Sequence, residues 1–213
     1  MATTTSAFHV SLSDKISAVT FSLAAFFPVV QFLRAFSLSE NSESFVFLDG
    51  MRIGWPWLLM GVGAFLTDLI TFIIKRFVER AFPQTTFWRR PKNAFACDAL
   101  SMHKEIDSTG KSGFPSGHSA TIAFFAFAVF LTDPVLSYFK ERKEKNKNRG
   151  LIIRGLITPT IIACIITFLI MMARVKKSCH TVLQTIVGAS IGIGMASLYI
   201  WLVGNYNGSL RYP

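Results

Sequence analysis

Five long stretches of this chain are almost free of charge, and they constrain its fold more than any other feature. Residues 16–33, 114–132, 155–173 and 181–206 contain no Asp, Glu, Lys or Arg, and residues 53–74 contain only Asp68. Each run is about 18–26 residues, the length at which an α-helix crosses a hydrocarbon core of about 30 Å. Buried helices of soluble domains are rarely so long and so uniformly apolar. The expected fold class is all-α: an integral membrane helical bundle of about five transmembrane helices with a polar cap loop. The spans are expected near 16–36, 53–74, 114–139, 152–173 and 181–204. The third gains its reach by continuing past Asp133 and Pro134 to Phe139. The first is long and is followed by no small-residue cleavage site, so it reads as a retained helix rather than a signal peptide.

Around these runs the chain reads as one membrane domain, residues 15–204. A Thr/Ser-rich tail (1–14) precedes it and a short tail (205–213) follows. The cap loop, 75–113, is the longest hydrophilic segment and lacks low complexity, which favours an ordered cap over a linker. The net charge of +10 would suit nucleic acid, but no nucleic-acid motif accompanies it. The basic residues instead gather in loops between apolar runs, above all at 140–149, as membrane topology rules predict for a cytoplasmic loop. The three cysteines form no CxxC pair, so a zinc site is not expected. Cys97 and Cys179 fall on one membrane face, where an oxidising compartment would permit a bridge; Cys164 lies mid-helix. Gly188 and Gly192 make a GxxxG step, flanked by Ala189, Gly194 and Ala196, and read as a helix-packing surface.

Three polar clusters carry the chemistry. Lys75, Arg76, Arg80, Arg89, Arg90 and Pro91 follow the second run. Pro115-Ser116-Gly117-His118-Ser119 opens the third. Arg174 and His180, separated by five residues, precede the last. Counting crossings places all three at one membrane face. A helix N-terminus offers unpaired N–H groups and a positive dipole end to a phosphate. Gly117 leaves room for the anion to approach the backbone, and Ser116 adds a hydroxyl. Lys75, Arg90 and Arg174 supply positive charge and fork-shaped donors. Of two histidines, one can attack phosphorus while the other protonates the leaving oxygen. Asp68, inside the second run, could pair with Lys75 or Arg174 or bond a neighbouring hydroxyl. Asp98 and His103 read as solvated cap-loop residues.

The pattern of these residues resembles the type 2 phosphatidic acid phosphatase superfamily, which also contains glucose-6-phosphatase and vanadium haloperoxidases. Its signature runs K-x6-RP, PSGH and SR-x5-H-x3-D. Here PSGH stands intact at Pro115 to His118, and Arg174-x5-His180 keeps the spacing and order. The resemblance implies that His180 is a nucleophile that becomes phosphohistidine and that His118 is the general acid. It implies that Arg174, Ser116 and Gly117 hold the phosphate, with Lys75 and Arg90 completing the cage and no metal or other cofactor taking part. The chain departs from the signature in three places. Lys75 stands fifteen positions before Arg90, so Arg76, Arg80 and Arg89 compete for the cage. Ala173 replaces the serine. Gln184 stands where Asp orients the nucleophile, a variant similar to the dolichyl-diphosphate phosphatase branch. The implied partners are the bilayer and a lipid phosphate, either phosphatidate or an isoprenyl diphosphate. The implied site face is lumenal or extracytoplasmic. Two rivals use the same residues: a lipid phosphotransferase and an inactive lipid-binding protein.

Overall fold

The computed structural model describes residues 46–92, 94, 97, 110–143 and 149–209. They contain four α-helices: α1 (Val46–Ala81), α2 (Gly117–Lys143), α3 (Arg149–Lys176) and α4 (Val182–Ser209). Among the described residues no strand forms beyond one antiparallel bridge between Arg89 and Ser112. Each helix contains a segment long and apolar enough to cross a membrane: Trp55–Ala81, Gly117–Val135, Gly155–Lys176 and Val182–Asn205. These fit an integral membrane protein. The expected span at 16–36, the N-terminal tail, Asp98, His103 and residues 144–148 of the basic loop lie outside the described residues.

The helices run past the apolar runs that predict them. α1 continues to Ala81, so Lys75 stands inside the helix instead of opening the cap loop. The extension is rich in Lys, Arg and Glu, which lose little rotamer freedom in a helix. Arg76 and Glu79 also pair across one turn at 3.5 Å. α2 passes through Pro134 and α3 through Pro159 without ending. The described tail is likewise shorter than expected, because α4 holds its form to Ser209.

The α2–α4 pair forms the centre of the bundle, with α1 packed across both and α3 mainly on α2. Small residues permit this contact. Ala120, Ala123 and Ala128 on α2 are fully buried, and Ala196 on α4 nearly so. A Cβ at Gly188 would collide with the carbonyl oxygen of Ser116, and one at Gly192 with that of Ala120. The two helices thus meet backbone to backbone, as small residues allow where lipid gives no hydrophobic drive. Gly194 faces open space, so this part of the small-residue pattern belongs to another face. One level away, the Phe124 ring fills the space above Gly63, where a Cβ would lie 2.5 Å from it. Phe124 also meets Tyr199 edge-on at 6.0 Å, and the Tyr199 hydroxyl donates to the Pro56 carbonyl at 3.0 Å, joining α4 to α1.

The outward faces carry large apolar side chains such as Phe65, Phe72, Phe168 and Trp201, the arrangement a bilayer solvates. Hydroxyls within the helices bond back to carbonyls one turn earlier, for example Thr67 to Gly63 at 2.7 Å and Thr167 to Ala163 at 2.8 Å. This satisfies them where no water is at hand.

Adding a methyl group at Gly188 or Gly192 must push α4 from α2. Overpacking of this kind costs about 1–3 kcal/mol. Gly188→Ala and Gly192→Ala are expected to lower the melting temperature in detergent, whereas Gly194→Ala leaves it unchanged. Thermal unfolding of the three purified variants checks this.

Candidate active site

The site assembles at the end of the bundle where α1 and α3 finish and α2 and α4 begin. Ser116 is the N-cap of α2. Its hydroxyl oxygen accepts from the Ser119 N–H at 3.4 Å and from the Ser119 hydroxyl at 3.1 Å. That is the bond an N-cap serine makes to the third helical residue. As an acceptor, Ser116 keeps its own proton to donate. The Phe114–Pro115 bond before it is cis. A Cβ on Gly117 would lie 3.6 Å from the Thr71 hydroxyl and 4.0 Å from the Lys75 ammonium nitrogen. The missing side chain of Gly117 therefore opens the space between the start of α2 and Lys75. His118 follows, half-buried, on the first turn.

The link from Arg174 to His180 is one continuous capping motif. The Cys179 N–H bonds the Arg174 carbonyl at 3.1 Å, and the Ser178 N–H bonds that of Val175 at 2.9 Å. Ser178 takes φ 55°, the left-handed conformation that usually calls for glycine. These are the two bonds of a Schellman motif, and they reverse the chain over the end of α3. Thr181 then caps α4. Its hydroxyl accepts from the Gln184 N–H at 3.3 Å, while the Gln184 Oε1 accepts from the Thr181 N–H at 3.1 Å. This reciprocal pair is a capping box, T-x-x-Q. The spacing of five residues between Arg174 and His180 is the length of one helix ending and another starting.

His180 and Arg174 are both buried, each 2% exposed. The His180 Nδ1–H donates to the Gly113 carbonyl at 2.9 Å, with Gln184 Oε1 a more distant acceptor at 3.4 Å. A carbonyl can only accept, so Nδ1 carries the proton and Nε2 keeps its lone pair. Burial, then the charges of Arg174, Arg90 and Lys75 in that order, pull the His180 pKa down to about 3. The ring is neutral across the physiological range.

The same field answers the spacing question. Arg90 and Lys75 both act on His180, although fifteen positions separate them. α1 turns at Ala81 and the chain doubles back on the segment before α2. The Arg90 N–H bonds the Lys111 carbonyl at 2.8 Å, and the Gly113 N–H bonds that of Trp88 at 2.7 Å. Buried Trp88 anchors the turn by donating from its indole N–H to the Phe82 carbonyl at 2.8 Å. The competing arginines are exposed, and two of them are engaged elsewhere. Arg89 stacks on Trp88 at 5.1 Å, Arg76 pairs with Glu79, and Arg80 faces outward. Asp68 accepts from the Thr121 hydroxyl of α2 at 2.5 Å, the hydroxyl partner among its expected alternatives.

The structure thus brings together Lys75, Arg90, Ser116, Gly117, His118, Arg174, His180 and Gln184. Neither Gly113 as partner of the nucleophile candidate nor Trp88 as anchor was legible from residue types alone. The T-x-x-Q pattern at Thr181 was the one visible signal of the capping box. Comparison with known families agrees with the arrangement: the family model of the PAP2 superfamily matches residues 56–207. The chain belongs to that superfamily. PAP2 membership gives it a phosphatase-type activity, that of a phosphoric ester hydrolase. No curated protein and no solved structure matches the chain significantly.

In this PAP2 chain Cys97 and Cys179 are disulfide-bonded. The bridge ties the cap loop to the residue before His180, and the Arg174 guanidinium donates to the Cys97 carbonyl. Cys164 is a free thiol on the exposed face of α3. Breaking the bridge releases an acceptor of Arg174 together with the loop that carries it. Cys97→Ser with Cys179→Ser is expected to lower the midpoint of thermal inactivation, an effect of about 2–4 kcal/mol. Cys164→Ser leaves the midpoint unchanged. Thiol titration with and without reductant, beside residual activity after heating, checks both.

Proposed function

We propose that this protein is a membrane lipid phosphatase. It hydrolyses a lipid phosphate monoester or diphosphate, of the phosphatidate or isoprenyl diphosphate class, through a phosphohistidine on His180. The observation that carries the reading is the burial of a neutral His180 beside His118 and three cations at the N-terminus of α2. Cationic and neutral donors converge there, a set suited to an anion. The site lies where candidate spans begin and end, so a phosphate headgroup can dock while its apolar tail stays in the bilayer.

The chemistry follows from the tautomer. The substrate phosphate rests against the N–H groups of Gly117 and His118, the Ser116 hydroxyl and the side chains of Lys75, Arg90 and Arg174. The Nε2 lone pair of His180 attacks phosphorus, an N–P bond forms and the P–O bond to the lipid breaks. His118, which takes up a proton once the bound phosphate offsets the surrounding cations, gives that proton to the leaving oxygen. The proton on Nδ1 stays in place, so the phosphorylated ring is a cation, and the Gly113 carbonyl that accepts its hydrogen bond stabilises it. The cationic cage stabilises charge spread over the equatorial oxygens. Water then attacks phosphorus, giving a proton to His118. The N–P bond breaks and phosphate leaves, with both histidines back in their starting states.

The bridge between Cys97 and Cys179 supports placing this end of the bundle in an oxidising compartment. The basic loop at the opposite end of α2 and α3 then lies on the cytoplasmic side, in keeping with the positive-inside rule. The site accordingly opens to the lumenal or extracytoplasmic face.

Phosphate release by the purified protein in detergent tests the reading, with phosphatidate and farnesyl diphosphate as substrates and EDTA present. Release is expected to survive EDTA and to vanish in His180→Ala. His118→Ala is expected to lose about 10²–10⁴-fold, and far less on p-nitrophenyl phosphate, whose leaving group needs no proton. Equal release by His180→Ala would overturn the mechanism. Transfer of phosphate to an added alcohol in preference to water would make the protein a phosphotransferase.

A further inference from the structure

Gln184 departs from the family signature inside the site. Its side chain is fully buried. Both hydrogens of its amide nitrogen are in use, donated to the Phe87 carbonyl at 3.0 Å and the Arg89 carbonyl at 2.9 Å. These carbonyls belong to the cap-loop turn that flanks Trp88 and leads into Arg90. Its amide oxygen accepts from the Thr181 N–H at 3.1 Å and lies 3.4 Å from the His180 Nδ1. Its backbone carbonyl accepts from the Ser116 N–H at 3.0 Å. A Cβ on Gly113 would lie 2.6 Å from its Oε1 and 2.9 Å from the Cγ of Arg90. One residue therefore touches the cap-loop arginine segment, the N-cap of α2 and the loop that carries the nucleophile.

The donor count decides what this position requires. Phe87 and Arg89 present acceptors only, so the atom facing them must bring protons. A carboxylate has none. Placed here, it would set an oxygen against two carbonyl oxygens at hydrogen-bond distance, in a buried site where each unpaired polar group costs about 1–3 kcal/mol. The task of receiving the His180 proton, meanwhile, has passed to the shorter bond with Gly113. We propose that Gln184 is a positioning residue that sets the distance between Arg90 and His180 by pinning the cap-loop turn, and that it must be an amide. On this view the glutamine is not a weakened aspartate. It does a different job, and the family's carboxylate would fail at it. The inference rests on the phosphatase reading for its kinetic consequence, though not for its structural one.

The test uses Gln184→Glu and Gln184→Met in the full-length protein, read in two ways. The first is the fluorescence of Trp88, with Trp55, Trp57 and Trp201 replaced by Phe. At pH 7.5 the Glu variant is expected to show red-shifted emission and stronger acrylamide quenching, because the turn is repelled. The second reading is phosphate release, where kcat/KM of the Glu variant falls by about 10-fold or more at pH 7.5. Gln184→Met, neutral and similar in length, brings no donor either and loses activity likewise. Should the Glu variant fail to fold, the Met variant decides: unchanged Trp88 emission and activity within a factor of two of wild type overturn the proposal. A Glu variant with wild-type fluorescence and activity at pH 7.5 overturns it as well. A wild type that releases no phosphate sinks the phosphatase reading alone, since the Trp88 signal still judges Gln184.

Discussion

The site depends on the backbone contact between α2 and α4. Gly188 lies against the Ser116 carbonyl and Gly192 against that of Ala120, so the start of α2 sits directly on the first turns of α4. Two chemically distinct halves meet in consequence. The Ser116 end contributes the first turn of α2 with its N-cap, and the α4 end contributes His180 immediately before its cap. A bond from the Ser116 N–H to the Gln184 carbonyl ties the halves at the same level. In lipid this closeness gains little from hydrophobic burial and comes instead from packing and hydrogen bonds. The glycines of α4 are therefore structural in kind but set the geometry of the chemistry.

Around that joint the protein concentrates positive charge on a buried imidazole. Arg174, Arg90 and Lys75 come from the end of α3, the cap-loop turn and the end of α1, and each lowers the proton affinity of His180. The effect suits a nucleophile, since protonation would remove the lone pair it needs. On the proposed phosphohistidine route, a bound phosphate anion offsets the same cations, and the imidazolium formed on phosphoryl transfer is then tolerated.

Much of this was legible in the sequence, and the gaps have physical causes. Uncharged runs locate spans because lipid imposes length and composition together. They do not locate helix ends, because Lys, Arg and Glu continue a helix as readily as Leu, and α1 reaches Ala81. The step from Arg174 to His180 was readable because capping motifs fix its spacing within a few residues, and His118 because it lies in the intact PSGH run. Lys75 and Arg90 were named from the resemblance, but how they come together was not readable, since it is made through a turn held by Trp88 and by backbone bonds to Lys111 and Gly113. Backbone carbonyls carry no letter in the sequence. For the same reason Gly113 escaped notice and Gln184 read as a substitute for a carboxylate, when its partners are the carbonyls of Phe87 and Arg89.

Asp68 extends this logic below the site. A carboxylate within a span is costly and calls for a partner, and the Thr121 hydroxyl supplies one at 2.5 Å. The bond joins α1 to α2 one turn beneath His118. From it α1 rises about 10 Å over seven residues to Lys75, and near the midpoint the Thr71 hydroxyl stands close to Gly117. A rigid helix anchored at Asp68 delivers its ammonium group to a set height, so the depth of Lys75 does not depend on the cap loop. Arg90 is placed by the turn from the opposite side. The cage is thus braced twice, by a polar bond within the bundle and by the hydrogen-bonded turn above it. A lysine held from below and an arginine held from above both act on His180 although fifteen positions separate them in the sequence.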